Sequence, residues 1–244
     1  MMLIKWVKLF FLKIVYGYAT SSGYKKLLEK KGVRIGENVH FYSPQHISID
    51  VTRPYAVTIG NNVHITKGVT ILTHGFDWSV VKGKYDDVLG SFGEVRIGNN
   101  VFIGAKATIC QGVHIEDNVI IGACSVVTKD CKQDSVYVGV PARYLCSISE
   151  YYQKRVGRQV EEAKALFCAY YKRYNKIPPK DVFSEFFFLF EDRSLPLQES
   201  FVYQMKNNGR YSECEKKYQT GHRQVFDSYE SFIEECIDEY GLSR

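Results

Sequence analysis

The chain has 244 residues, of which 45% are hydrophobic and 24% charged, the balance expected of a globular protein. Its net charge of +5 is concentrated near the N-terminus: residues 1–34 hold eight Lys or Arg against one acidic residue, and the rest holds 24 basic and 26 acidic residues. Because the surplus is local, it argues against a general nucleic-acid-binding surface. Seven cysteines without a C-x-x-C pair indicate a reduced, cytoplasmic chain rather than a disulfide framework.

The N-terminal segment, residues 1–32, is predicted to be helical. Residues 2–18 are apolar except for Lys5, Lys8 and Lys13, which would lie within roughly 140° of one another on a helix. Its longest apolar run is far shorter than the roughly 20 residues that span a bilayer. Two roles remain open: peripheral contact with the inner face of a membrane, or a cap on the open end of the domain that follows.

From Val33 onward, aliphatic residues recur at intervals of six, which identifies the architecture. One column comprises Ile35, Ile47, Ile59, Ile65, Ile71, Ile97, Ile103, Ile109, Ile115, Ile121 and Val127. A second column of small or β-branched residues follows four positions later: Val39, Val63, Val69, Val101, Ala107, Val113, Val119 and Ser125. Period six predicts a solenoid with three short flat faces per coil, about 18 residues per turn, whose stacked strands bury both columns.

The solenoid domain is predicted over residues 33–147, with two interruptions. The stretch Ser48–Ala56 is irregular and places Arg53 where an aliphatic residue is expected. Residues 75–94 do not fit the repeat and form an excursion, and long loops thrown out of a regular scaffold are commonly functional.

Residues 148–244 are predicted to form a helical extension. Apolar residues from Tyr152 to Tyr174 recur at steps of three and four, as in one long amphipathic helix. Pro178 and Pro179 precede a predicted helix start at Asp181, and the clearest further helix is predicted over 226–240. The many Phe and Tyr residues of this segment are expected mainly in its core.

Five of the six histidines divide into two groups. His40, His46, His64 and His114 share one outward-facing repeat position, and His46 and His64 lie 18 residues apart, so they are predicted to be neighbours on adjacent coils. If the active cleft borders that face, His46 and His64 could contact an acceptor. His74 instead lies at the start of the excursion, held by the coil beneath it, where a neutral imidazole can accept a proton.

Several motifs resemble those of the hexapeptide-repeat acetyltransferases, in particular the galactoside, maltose and xenobiotic O-acetyltransferases. They are Ile59-Gly60-Asn61-Asn62-Val63, Ile97-Gly98-Asn99-Asn100-Val101-Phe102-Ile103-Gly104, Val127-Thr128-Lys129-Asp130 and Gly139-Val140-Pro141-Ala142-Arg143. The resemblance implies a left-handed parallel β-helix, a homotrimer with active sites at the subunit interfaces, and acetyl-CoA as co-substrate with no metal. The helical extension resembles those of capsule and O-antigen acetyltransferases.

The resemblance also implies roles for individual residues. His74 matches the catalytic histidine. The residues matched to the acetyl-CoA site are Phe102, Gly104, Ala105, Ala123, Thr128, Lys129 and Arg143. Gly75 stands where the family often has Pro. Asp77 and Trp78 are further candidates for acceptor binding. Trp78 and Phe76 would either form an apolar wall for a sugar ring or pack the excursion onto the coil. Either Asp77 or a backbone carbonyl would orient the imidazole of His74.

The predicted function is therefore acetyl-CoA-dependent O-acetylation of a sugar hydroxyl in a surface polysaccharide or its precursor. Alternatives are an acetyltransferase for a small acceptor (serine, a sugar-nucleotide amine or a xenobiotic), a zinc hydratase on the same solenoid, and a non-catalytic scaffold that binds a membrane or partner. The zinc enzyme would need three converging imidazoles, which the spacing does not provide.

Overall fold

The computed structural model describes residues 19–191, 193, 196–207, 209–221 and 224–242. The predicted helix over residues 2–18 lies outside the described residues. The chain divides into two compact units, one ending at Tyr151 and the other beginning at Tyr152. Within the described residues, no helix is both long enough and apolar enough to cross a membrane.

The N-terminal unit is a parallel β-helix with three faces. Its strands are β1 Arg34–Ile35, β2 His40–Phe41, β3 Ser48–Ile49, β4 Val57–Ile59, β5 Val63–Ile65, β6 Thr70–Ile71, β7 Val95–Ile97, β8 Val101–Ile103, β9 Thr108–Ile109, β10 His114–Ile115, β11 Val119–Ile121, β12 Val126–Val127, β13 Ser135–Val138 and β14 Arg143–Ser147. Sheet A contains β1, β4, β7 and β10; sheet B contains β2, β5, β8, β11, β13 and β14; sheet C contains β3, β6, β9 and β12. All pairs are parallel except β13 with the final strand β14.

Both predicted aliphatic columns form the core of this unit. Every residue of the second column is buried, and so is the first column apart from the partly buried Ile35. In the regular coils the register is 18 residues, as between Phe102 and Ile120 in sheet B. The six-residue period therefore predicts the coil correctly, because each face needs one short strand and one turn.

The turns from sheet A to sheet B explain the asparagines of the repeat. Asn38, Asn62, Asn100 and Asn118 all adopt positive φ between 53° and 58°, a conformation that Asn tolerates better than most residues. Side-chain hydrogen bonds connect several of these turns: Asn38 Nδ2 donates to Asn62 Oδ1 at 3.1 Å, Asn100 Nδ2 to Asn118 Oδ1 at 2.8 Å and Asn118 Nδ2 to Asp134 Oδ1 at 2.8 Å. This ladder fixes the corner of the prism and holds successive coils in register.

The first coil is longer than the repeat predicts. Thr58 pairs with Arg34 and His64 pairs with His40, a spacing of 24 residues, and Ile49 rather than Ile47 pairs with Ile71. Two 3₁₀ turns, Pro44–His46 and Pro54–Ala56, contain much of the extra chain. The prediction that His46 and His64 are neighbours is therefore wrong: His64 stacks on His40, with ring centroids 6.1 Å apart.

Two helices accompany the β-helix. Helix α1, Ser21–Lys31, covers the first coil: its Leu28 is buried in the same core as Val33 and Phe41. Helix α2, Trp78–Tyr85, forms part of the excursion and has no buried residue. Since α2 has no apolar face packed on a core, the hydrophobic pattern contained no signal for it.

The C-terminal unit is helical. Helix α3, Ile148–Tyr174, enters it from the β-helix and is followed by α4 Glu199–Lys206, α5 Tyr211–Gly221 and α6 Tyr229–Tyr240. Its core is mainly aromatic and includes Phe167, Phe183, Phe187, Phe190, Phe201, Tyr218 and Phe232. The helix predicted to start at Asp181 is wrong: Lys180–Phe183 is a single 3₁₀ turn.

Candidate active site

His74 forms a short hydrogen-bonded pair with Asp50. Its Nδ1 lies 2.6 Å from Asp50 Oδ2. The two residues are 24 apart in sequence, but they meet because Asp50 directly follows β3 and His74 follows β6, its neighbour in sheet C. The carboxylate is nearly buried at 7% exposure, whereas the imidazole is 29% exposed and keeps a face open to solvent.

Asp50 receives hydrogen bonds at both oxygens. The backbone N–H and hydroxyl of Thr52 donate to Oδ1 at 2.9 and 2.7 Å. The backbone N–H and hydroxyl of the fully buried Thr73 donate to Oδ2, the same oxygen that meets His74. Burial by itself raises the pKa of Asp50, but the hydrogen bonds from Thr73, Thr52 and His74 outweigh it and hold that pKa well below its ordinary value.

The ionised state of Asp50 determines the tautomer of His74. An ionised carboxylate can only accept hydrogen bonds, so the Nδ1 that it contacts must carry the proton and donate. The neutral imidazole then has its lone pair on Nε2. A histidine so arranged can accept a proton at Nε2, and the carboxylate stabilises the imidazolium that forms.

The returning limb of the excursion holds the backbone next to His74. Ser91 Oγ accepts from Gly75 N–H at 2.9 Å, and Gly93 N–H donates to the carbonyl of Thr73 at 3.0 Å. Arg53 in turn donates from Nη1 to the carbonyl of Ser91 at 2.7 Å. Arg53 therefore replaces an aliphatic residue in the repeat because it anchors the excursion.

The edge between sheets C and A, called the C–A edge, carries part of the predicted site. Backbone hydrogen bonds connect Asp50 to Ile71, Leu72 to Ile109 and Cys110 to Val127, so residues after each sheet-C strand form one column. Thr128 and Lys129 follow β12 on this edge and are exposed. They lie two coils from the level of His74, about 10 Å along the axis.

The edge between sheets B and C, called the B–C edge, carries the rest. Gly104 and Ala105 follow β8, Ala123 follows β11, and Arg143 pairs with Val138 at the end of β13. The coils approach closely here: a Cβ on Gly104 would lie 2.5 Å from the backbone N of Ala123, so only glycine fits. Phe102 projects from the adjoining face of sheet B, 43% exposed. Within a single β-helix, the residues on the B–C edge therefore do not lie together with His74, which is on the C–A edge.

The acceptor candidates are also dispersed. His46 lies in the 3₁₀ turn of the first coil, and His64 lies on the outer face of sheet B, where its Nδ1 is 2.9 Å from the hydroxyl of Tyr42. Asp77 and Trp78 belong to the excursion beside His74. Phe76 and Trp78 form a tilted pair with centroids 4.9 Å apart, and Phe76 is 70% exposed, so its ring does not pack on the coil.

The group that orients the imidazole is Asp50, whose carboxylate bonds to Nδ1 of His74. It is neither Asp77 nor a backbone carbonyl, the two groups that the sequence suggests for this role. The sequence does place Asp50 directly after an isoleucine in the irregular stretch. However, its proximity to His74 follows only once Ile49 is known to pair with Ile71. Among the described residues, no group of three or more His, Cys, Asp or Glu side chains is arranged to hold a metal ion.

The structure thus combines a three-faced parallel β-helix with an imidazole held by a carboxylate at one edge. Comparison with known proteins gives the family. The model for the bacterial transferase hexapeptide (six repeats) matches residues 94–129. Protein CapG of Staphylococcus aureus is 37% identical over 127 residues, which are 52% of this chain and 73% of CapG. The galactoside O-acetyltransferase of Escherichia coli (strain K12) is 39% identical over 119 residues, which are 47% of this chain and 57% of that protein.

Among solved structures, a galactoside acetyltransferase in complex with coenzyme A matches 58% of this chain and 80% of its own, at 30% identity and a TM-score of 0.41. The chain belongs to the hexapeptide-repeat transferase family. The predicted resemblance and the left-handed β-helix are thereby confirmed, and so is the predicted enzyme class, an acyltransferase.

Proposed function

We propose that this protein is an acetyl-CoA-dependent O-acetyltransferase that acts on a sugar hydroxyl of a surface polysaccharide, such as a capsule or O-antigen, or of its precursor. The observation that carries the proposal is the Asp50–His74 pair, at 2.6 Å, on the edge of a hexapeptide-repeat β-helix. The similarity to a galactoside O-acetyltransferase favours a sugar as the acceptor.

In the proposed reaction, Nε2 of His74 takes the proton of the acceptor hydroxyl while that oxygen bonds to the acetyl carbonyl carbon. Backbone N–H groups would meet the negative charge that develops on the carbonyl oxygen. The carbon–sulfur bond then breaks, and the leaving sulfur recovers the proton from the imidazolium. Asp50 acts as a positioning residue that holds Nδ1–H and stabilises the protonated ring.

The division of the predicted donor site between two edges supports an assembly of several copies. His74, Thr128 and Lys129 lie on the C–A edge, and Gly104, Ala105, Ala123 and Arg143 belong to the B–C edge. A homotrimer in which the C–A edge of one copy faces the B–C edge of the next would complete three equal sites. In such a closed ring, every C–A edge would be paired with a B–C edge, so no half-site would be left incomplete.

The acceptor is proposed to bind against the excursion. Phe76, two residues after His74, is exposed and in contact with the half-buried Trp78, and its ring offers an apolar face to a sugar ring. Asp77, exposed between them, can accept hydrogen bonds from sugar hydroxyls. His64, on sheet B, would contribute only if the neighbouring copy brings that face to the cleft.

The proposal is tested by offering the purified protein acetyl-CoA with a panel of acceptors and detecting acetylated products by mass spectrometry. The panel holds oligosaccharides, lipid-linked sugars and small acceptors such as serine and an amino-sugar nucleotide. An acetyl ester on a saccharide is the expected result. Acetylation confined to the small acceptors, or an amide product, would contradict the proposal.

The donor site has its own test. The double variant Lys129→Ala, Arg143→Ala removes two exposed cations that could pair with phosphate groups, so we expect KM for acetyl-CoA to rise about tenfold or more, with little change for the acceptor. Steady-state kinetics with each substrate varied in turn measures both constants. The matched control is Lys132→Ala, a nearby exposed lysine paired with Glu116. A rise confined to the acceptor would show that the donor site lies elsewhere.

A cytoplasmic location with peripheral membrane contact is proposed from the sequence of residues 1–18, which combines apolar residues with Lys5, Lys8 and Lys13. Deletion of residues 1–18 should lower co-sedimentation with vesicles containing phosphatidylglycerol. Helix α1, which covers the first coil, remains in that variant, so the fold should be retained by circular dichroism. Unchanged sedimentation would remove the membrane role.

A further inference from the structure

The end of α3 carries a surface that neither the catalytic proposal nor the core of the C-terminal unit uses. Tyr170 and Tyr174 lie one turn apart with ring centroids 4.6 Å apart. On the same helix, Phe167 belongs to the aromatic core and Tyr171 packs against it, but Tyr174 is 58% exposed in the last turn. Arg173 is exposed three residues after Tyr170, so it is that ring's neighbour on the helix surface.

This end of the helix is also selectively basic. The 18 residues from 163 to 180 contain five basic residues and no acidic residue, although basic and acidic residues are equal in number from 152 to 244. Lys164 is paired with Glu235 and Glu239, and Lys180 is paired with Glu191. Lys172, Arg173 and Lys176 are exposed and form no ion pair with any residue that the structure describes. The stretch that carries the tyrosine pair therefore holds three exposed positive charges without an ion-pair partner among the described residues.

We propose that Tyr170, Arg173, Tyr174 and Lys176 form a binding surface for an anionic glycan, a polysaccharide chain bearing carboxylate groups. A tyrosine ring presents a flat apolar face to the C–H face of a sugar and a hydroxyl to its polar edge. Arginine provides a planar pair of donors for a carboxylate, and lysine adds a point charge. The surface therefore offers aromatic rings for the sugar rings and cations for the carboxylate groups of such a chain.

Two other anionic partners fit less well. Binding to a lipid surface requires large apolar side chains exposed among basic residues. The large apolar side chains of this unit are mostly in its core, and Ile177 is the exposed aliphatic residue next to the proposed binding surface. A single-stranded nucleic acid would stack on the same rings, but three unpaired cations give little of the charged groove that such binding uses. The glycan surface goes beyond the proposed acetyl transfer, because it would bind whether or not a bound chain is acetylated.

The test uses the full chain without acetyl-CoA and measures binding of an oligogalacturonate by isothermal titration calorimetry. Maltoheptaose replaces it as the uncharged sugar, and poly-L-glutamate as the anionic chain without sugar. We expect measurable affinity for the oligogalacturonate, at least tenfold weaker binding of both controls, and a loss of about tenfold or more in each of Tyr174→Ala and Arg173→Ala. Their matched controls, Tyr203→Ala and Lys154→Ala, replace an exposed tyrosine of α4 and an exposed lysine at the other end of α3, and should bind as the unmodified chain does.

Equal binding of poly-L-glutamate would overturn the proposal by showing that charge alone acts. Absence of binding to oligogalacturonate, or tighter binding to phosphatidylglycerol vesicles or to an oligothymidylate, would overturn it as well. Acetylation of a short saccharide is measured separately and should be unchanged in Tyr174→Ala. Loss of glycan binding with full acetylation, or the reverse, separates this surface from the proposed catalytic function.

Discussion

His74→Ala should reduce acetyl transfer by about 10²–10⁴-fold, the range that general-base catalysis supplies. The imidazole is held by Asp50 on an edge of the rigid coil, so its removal takes away the proposed proton acceptor and leaves the column of strands unchanged. Because His74 is not among the predicted donor-binding residues, acetyl-CoA binding should persist. Turnover with the best acceptor of the panel and calorimetric titration with acetyl-CoA measure the two quantities.

The control for this variant is His114→Ala. His114 is an exposed histidine on the outer face of sheet A, and it retains the same β-helix environment without belonging to the proposed site. It should keep full activity. Retained turnover in His74→Ala would remove this residue from the mechanism, and loss of acetyl-CoA binding together with turnover would indicate a structural role.

Asp50→Asn should lower kcat by about 10- to 100-fold. The substitution keeps the shape of the side chain but removes the charge that stabilises the imidazolium, and hydrogen bonds to a charged group contribute roughly 1.5–3 kcal/mol. Since a loss of about 1.4 kcal/mol corresponds to a factor of ten in rate, the expected range follows. KM for acetyl-CoA should change little, because the change acts through His74. A variant with normal kcat would show that the carboxylate is only a packing element.

The same substitution has an expected effect on stability that depends on pH. The pKa of Asp50 is lower in the folded chain than its ordinary value near 4, so the ionised group favours folding at neutral pH. This contribution is fully present above the ordinary carboxylate pKa and is lost as the pH falls toward the lowered value. Urea unfolding at several pH values should therefore show Asp50→Asn less stable than the unmodified chain at pH 7, with the difference narrowing below pH about 4.

The control for the stability series is Asp87→Asn, which replaces an exposed aspartate of the excursion. Its unfolding midpoint should follow that of the unmodified chain at every pH. A constant difference between Asp50→Asn and the unmodified chain across the series would show that the amide disturbs packing rather than removing a stabilising charge.

The sequence by itself indicates the repeat, the unusual position of His74 and the long helix after Tyr152. Aliphatic residues every six positions can be buried together only if each coil has three short faces, so the columns from Val95 to Val127 were predictable residue by residue. His74 stood out because it interrupts that order at the start of the excursion. The steps of three and four after Tyr152 indicated α3, although Pro178 and Pro179 suggested a helix where the chain forms one 3₁₀ turn.

Tertiary structure decided the pairings that depend on how many residues a coil contains. Between the first two coils, paired residues are 24 apart in sheets A and B and 22 apart in sheet C, instead of 18. This difference places His40 rather than His46 beside His64 and brings Asp50 to His74. The tertiary structure also places Thr128 and Lys129 on the C–A edge. Gly104, Ala105 and Ala123 lie on the B–C edge. The physical reason is that a short-range repeat defines only the local path of the chain. Insertions such as Pro54–Ala56 and the excursion change which residues of neighbouring coils lie on top of one another. That pairing is decided only when whole coils pack together.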